Sequence, residues 1–77
     1  MKERIRQLMA SALQVPISEI KESSSIHTLA AWDSLQHLRL VMALEQEFGV
    51  KFKDVEIPEV TSFVAIQNCI AQKLEKI

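Results

Sequence analysis

The sequence predicts an all-α fold: a small antiparallel four-helix bundle, three main helices plus one short helix, with a long loop between the first two. Three observations predict it. Apolar residues recur at spacings of three and four in three separate segments. Capping residues and prolines mark the ends of those segments. The composition has one Gly, two Pro and 5% aromatic residues in 77. That is poor material for the turns and strands of a β-sandwich or barrel, whereas Leu, Ala, Glu, Gln, Lys and Met favour helices.

The first helix is expected over residues 2–14, where Ile5, Leu8, Met9, Ala12 and Leu13 form one stripe and Lys2, Glu3, Arg6 and Gln7 lie off it. Pro16 requires the helix to have stopped by Val15. Residues 15–32 then form a connection long enough to suggest a role of its own. Its scattered Val15, Ile17, Ile20, Ile26 and Leu29 imply that it is pinned onto the helices, with a short turn at Ser18–Lys21 capped by Ser18. The second helix starts after Asp33, a favoured N-cap, and Gln36 three residues on makes a pattern like a capping box. It runs to about Phe48, and Gly49 stands where a terminating glycine belongs. Residues 50–60 read as a loop with one helical turn around Asp54–Ile57, ended by Pro58. Thr61 or Ser62 caps a last helix striped by Phe63, Ile66, Ile70, Leu74 and Ile77.

A chain of this length reads as a single domain, residues 1–77, able to bury roughly 60% of its unfolded surface. Hydrophobic residues make up 48%, too many for a disordered chain. The net charge of −1 comes with no basic cluster. Arg39 and the Lys51/Lys53 pair are too sparse for a nucleic-acid surface. The start "MKERIRQLM" lacks the apolar core of a signal peptide, and no apolar run approaches the ~20 residues of a membrane span. The lone Cys69 reads as a packing residue and fits a reducing, cytoplasmic setting. One Cys and two His show no metal-ligand spacing, and Asp54, Glu56 and Glu59 form no calcium loop.

The second helix carries more apolar residues than one buried face needs. At roughly 100° per residue, Leu40, Val41, Leu44 and Phe48 make a core face. Leu35, Leu38 and Met42 make a second stripe at i, i+3 and i+7. Periodicity leaves two readings open: the long loop covers this stripe, or it is a surface for partners. Ser34 also has two readings. It is an ordinary first-turn serine, or a hydroxyl whose phosphate ester would lie in the favourable field of the helix N-terminus. Hydrolase chemistry is poorly supported. His37, at i+3, could approach Ser34, but no G-x-S-x-G elbow surrounds it. Both His27 and His37 read as surface or edge-of-core residues.

The stretch "WDSLQHLRLVMALEQEFGVKF" resembles the acyl carrier protein family, the phosphopantetheine carrier proteins. The family pattern is Asp-Ser-Leu opening a helix, then an apolar run ending in Leu-Glu-x-x-Phe-Gly. Here these are Asp33, Ser34 and Leu35, then Leu44, Glu45, Phe48 and Gly49. The order of helices and the long loop extend the resemblance over essentially the whole chain. It implies that Ser34 carries 4′-phosphopantetheine, transferred from coenzyme A by a phosphopantetheinyl transferase that uses a divalent metal and recognises the adjoining Asp33. It further implies an acyl or aminoacyl cargo held as a thioester on the arm. The implied docking surface for loading and processing enzymes is Leu35, Leu38, Arg39 and Met42. The carrier is expected to catalyse nothing itself, to hold no metal, and to act as a monomer without membrane insertion or nucleic-acid partners.

Two positions depart from the pattern of bacterial fatty acid carriers, which place carboxylates two and five residues after the serine. Here those positions hold Gln36 and Arg39. Together with Trp32 before the motif, they point to a specialised carrier for a dedicated pathway rather than the housekeeping one. The alternative is an unmodified helical protein–protein interaction module of the same fold, which needs the apolar stripe and no cofactor.

Overall fold

The computed structural model describes residues 2–75. Its element order is helix α1 (Lys2–Leu13), a 3-10 turn (Ile17–Glu19), helix α2 (Ser34–Phe48), a second 3-10 turn (Ile57–Glu59) and helix α3 (Phe63–Glu75). The described residues contain no strand, only one isolated antiparallel bridge between Ser25 and Ser62. The predicted helical bundle is therefore present, with three main helices and single-turn elements in the connections.

Helix α1 buries Ile5, Met9 and Leu13 and packs Leu8 and Ala12 at the edge of the core, as its stripe predicts. It ends one residue earlier than expected. Gln14 adopts a left-handed conformation, φ 59°, and the Val15 N–H donates to the Ala10 carbonyl at 3.1 Å. This six-to-one bond satisfies a terminal carbonyl of the helix, so the stop precedes Pro16. Helix α2 ends the same way, with Gly49 at φ 65° and the Val50 N–H reaching the Glu45 carbonyl.

The long loop is pinned, as its apolar residues suggest. Ile20 and Trp32 are buried, and Val15, Ile26 and Leu29 pack against the core. Ile17 is the exception and is exposed. The first 3-10 turn begins one residue before the expected one, with Pro16 at its N-cap position and no side-chain cap, so Ser18 does not cap it. The Ser24 hydroxyl instead accepts the Lys21 N–H at 2.8 Å and organises the turn that follows.

The second 3-10 turn, by contrast, lies further along than the predicted Asp54–Ile57. Pro58 stands inside it rather than ending it, because the first positions of a helical turn have no bonded N–H to lose. Of the two cap candidates for α3, Ser62 is the cap: its hydroxyl accepts the Ala65 N–H at 3.1 Å. Along α3, Phe63, Ile66 and Ile70 are buried, but Leu74 is exposed and Ile77 lies outside the described residues. Cys69 packs half-buried against the core, as expected. On α2, Leu40, Val41 and Leu44 are buried, whereas Phe48 is half-buried with the Arg4 guanidinium 4.8 Å above its ring.

Candidate functional site

The site is built at the N-terminus of α2. Asp33 adopts an extended conformation, φ −98° and ψ −176°, and its Oδ1 accepts the Gln36 N–H at 2.9 Å. Its carbonyl takes the first helical bond, from the His37 N–H at 2.8 Å. Asp33 is thus the N-cap the sequence predicts. The reciprocal half of a capping box is absent among the described residues: Gln36 Oε1 is buried without a partner.

With these bonds assigned, the N–H groups of Ser34 and Leu35 have no acceptor among the described residues. They are two of the orphan donors every helix start presents. The Ser34 side chain is exposed at this point and its hydroxyl makes no hydrogen bond within the described chain. A nucleophilic oxygen, two free donors and the positive end of the α2 dipole thus share one exposed corner. The donor set suits a phosphodiester on Ser34. On one side the corner opens into a groove of about 360 Å³ lined by Ile26, Ser34, His37, Leu38, Ile57 and Pro58. Its lining is mostly apolar, so a flexible chain attached at Ser34 would find a surface it can lie against.

The second apolar stripe is uncovered. Leu35, Leu38 and Met42 are 61%, 51% and 61% exposed. The long loop packs elsewhere, so the first of the two readings left open by periodicity is excluded. Arg39 is exposed on the same face, at i+4 from Leu35 and i−3 from Met42, and makes no ion pair among the described residues. The two carboxylates later in α2 are already engaged: Glu45 accepts the Phe52 N–H at 2.8 Å and Glu47 pairs with Arg4.

His37 overturns its expected place at the edge of the core. It is 6% exposed, and both ring nitrogens are occupied. The Trp32 indole N–H donates to its Nδ1 at 2.9 Å, and its Nε2 lies 2.7 Å from the Ile57 carbonyl oxygen. Neither nitrogen is free to take a proton from Ser34, which removes the base a serine hydrolase would need. His27, by contrast, is exposed as expected. The sequence reading assigned no role to Trp32 in the core or to Ile57 and Pro58 beside Ser34. The available signal was an indole donor five residues before an imidazole acceptor.

Away from the corner, Glu56 organises the loop before α3. It accepts the Lys53 N–H at 2.7 Å and pairs with Lys73 at 2.8 Å, and these contacts hold its carboxyl below the usual value of 4.5. Burial, helped by Glu56, pushes the Cys69 thiol up. Among the described residues no three His, Cys, Asp or Glu side chains gather as metal ligands, and no helix is long and apolar enough to cross a membrane.

The geometry agrees with the comparisons. The family model described as "phosphopantetheine attachment site" matches residues 3–70. An acyl carrier protein of Clostridium acetobutylicum is 39% identical over 75 residues, covering 96% of each chain. Polyketide-8 synthase acyl carrier protein 2 of Streptomyces avermitilis is 29% identical over 73 residues, covering 95% of this chain and 84% of its own. The solution structure of a holo acyl carrier protein from Geobacter metallireducens superposes with a TM-score of 0.86 at 20% identity, over 97% of this chain and 86% of that one. That last likeness confirms the fold, and the family-model and sequence matches, which run across most of the chain, place it in the acyl carrier protein family.

Proposed function

We propose that Ser34 is the attachment point of 4′-phosphopantetheine and that residues 1–77 act as one carrier domain. The observation that carries this reading is the Ser34 hydroxyl itself. It is exposed on the first turn of α2, beside two unpaired N–H groups and at the mouth of an apolar groove. Ser34 Oγ would hold the arm through a phosphodiester, and the first-turn N–H groups of Ser34 and Leu35 would face its anionic oxygens. The arm supplies a terminal thiol on which acyl or aminoacyl intermediates travel as thioesters. The chain contributes position, electrostatics and a docking face, and it leaves the chemistry to its partners.

Those partners are a phosphopantetheinyl transferase acting with coenzyme A, and the enzymes that load and process the cargo. Leu35, Leu38, Arg39 and Met42 form the face they read. Asp33 contributes twice, as the cap that shapes the first turn and as the residue beside the modified serine. The exposed part of α2 from Ser34 to Met42 carries Arg39 and no carboxylate. Enzymes with basic docking surfaces would be steered to it weakly, which supports a dedicated pathway over housekeeping fatty acid synthesis. The half-buried free thiol of Cys69 suits a reducing, cytoplasmic compartment.

The test is intact mass. Incubation with coenzyme A and a broad-specificity phosphopantetheinyl transferase adds one arm to the wild-type chain and none to Ser34→Ala. An unchanged mass in folded wild-type protein, the behaviour of an unmodified interaction module, overturns the reading. So does modification that survives in Ser34→Ala.

A further inference from the structure

Arg39 stands on the uncovered face of α2 without an internal partner. Its helical neighbours at i−4, i−3, i+3 and i+4 are Leu35, Gln36, Met42 and Ala43, so the helix offers it no carboxylate. It forms no ion pair among the described residues. Leu35, Arg39, Met42 and Gln46 follow one another at i, i+4, i+7 and i+11, a row of exposed residues along one side of the helix, with Leu38 beside it. The guanidinium is therefore carried within the apolar stripe.

A second cation stands at the far end of the row. Met42 lines a hollow of about 380 Å³ with Glu45, Gln46, Gly49, Val50 and Lys51. Lys51 is exposed and forms no ion pair among the described residues. Glu45, the one carboxylate in that lining, is half-buried and accepts the Phe52 N–H. The other carboxylates of α2 and its cap are engaged too, Asp33 by the Gln36 N–H and Glu47 by Arg4. The chain carries a net charge of −1, yet this face is locally cationic.

A partner that covers Leu35, Leu38 and Met42 must also cover Arg39. A charge buried without a counter-charge is strongly unfavourable. A wholly apolar partner surface is penalised for that reason, and a basic one is penalised again by repulsion. A carboxylate opposite Arg39 removes both penalties, and the planar guanidinium can hold it through two parallel N–H bonds. A nucleic-acid phosphate would answer the charge but leave the apolar stripe uncovered. A lipid surface calls for a polar face richer in Lys and Arg than these two side chains. We propose that the partners of this face are proteins presenting an apolar patch rimmed by carboxylates, one set against Arg39 and one against Lys51. Leu38 and Met42 enter the patch, and the apolar contacts around Arg39 exclude water and strengthen its ion pair. The face thus selects acidic partner surfaces and discriminates against basic ones. This deepens the reading of α2 as the docking face and rests on it.

The test uses the unmodified chain, so its outcome is independent of whether Ser34 accepts an arm. The probes are two synthetic amphipathic helices and vesicles of phosphatidylglycerol. One helix has a leucine face rimmed by glutamates, and in its twin lysine replaces every glutamate. Backbone amide shifts in NMR titrations at low salt report binding. The glutamate helix moves the amides of Leu35, Leu38, Arg39, Met42 and Lys51 and binds about tenfold more tightly than the lysine twin. Arg39→Gln weakens its binding about two- to fivefold, the worth of one exposed ion pair. Arg39→Glu narrows or reverses the preference between the two helices. Both variants change an exposed side chain and keep wild-type helicity by circular dichroism. The proposal is overturned if the two helices bind equally, if the lysine twin binds more tightly, or if Arg39→Gln binds the glutamate helix as wild type does. It is also overturned if the glutamate helix leaves Met42 unshifted at millimolar concentration, or if the vesicles bind more tightly than that helix. Arm transfer tests the docking face separately: slowed transfer in Leu38→Glu with equal binding of the two helices keeps the face and removes only its charge preference.

Discussion

Asp33 Oδ1 accepts the Gln36 N–H at 2.9 Å, and this one bond places Ser34 on the first turn of α2 rather than in the preceding loop. Cap and proposed attachment site are therefore separable by substitution. Asp33→Ala removes the acceptor and lowers stability by about 0.5–2 kcal/mol. Asp33→Asn keeps a side-chain oxygen for the cap and holds stability within a few tenths of a kcal/mol. If the carboxylate also serves recognition by the transferase, arm transfer falls in Asp33→Asn as far as in Asp33→Ala. Denaturant unfolding and intact mass measured on both variants check this. Equal transfer by Asp33→Asn and wild type would confine Asp33 to capping.

The two faces of α2 make opposite predictions. Leu38 and Met42 are exposed and Leu44 is fully buried. Leu38→Glu and Met42→Glu therefore leave helicity intact and change stability by no more than about 0.5 kcal/mol, while arm transfer slows. Leu44→Ala opens a cavity in the core and costs about 2–5 kcal/mol. Circular dichroism, urea unfolding and the rate of mass gain separate these effects. Unfolding of either glutamate variant would assign its residue to the core.

The helices were legible because each signals itself locally: a stripe at spacings of three and four, a cap, a stop. The exposed face of α2 was legible as a surplus, since one helix side cannot bury both Leu40–Leu44 and Leu35–Met42. Its exposure was not, because whether a loop covers a stripe depends on where residues 15–32 pack. Pro58 misled because a proline breaks a helix interior yet is accepted in a first turn, and sequence alone does not give the register. The bond from His37 to Ile57 joins residues twenty apart through a meeting of segments that no local pattern encodes. The cap pair Asp33 and Gln36, three residues apart on one turn, lies at the opposite extreme, and there the sequence was sufficient for the bond that formed.

Gln14 holds a left-handed conformation at φ 59° to end α1. A residue with a Cβ is disfavoured there by roughly 1–2 kcal/mol, and glycine is not. Glycine also adds freedom to the unfolded chain, which offsets part of the gain. Gln14→Gly should therefore stabilise the fold by about 0.5–1 kcal/mol and raise the urea midpoint without changing the slope. A lower midpoint would show that the Gln14 side chain contributes more than its backbone strain costs.

Glu56 links the loop before α3 to that helix, through the Lys53 N–H and the Lys73 ammonium, which also lies 5.1 Å from the centre of the Phe52 ring. These contacts favour the carboxylate and hold its pKa below the usual 4.5. The sign follows from linkage: a depressed carboxyl binds fewer protons folded than unfolded, so its contribution is present above about pH 4.5 and is lost as pH falls through the folded value. Glu22, held low by Lys2 at the exposed contact between the long loop and α1, acts in the same direction but is more fully screened by solvent. Glu56→Gln should therefore flatten the acid limb of the stability curve below pH 4.5 and lower stability at pH 7. Glu22→Gln should change both less. Urea unfolding from pH 3 to pH 7 on the three proteins measures this. An acid limb in Glu56→Gln as steep as in wild type would place the acid sensitivity elsewhere.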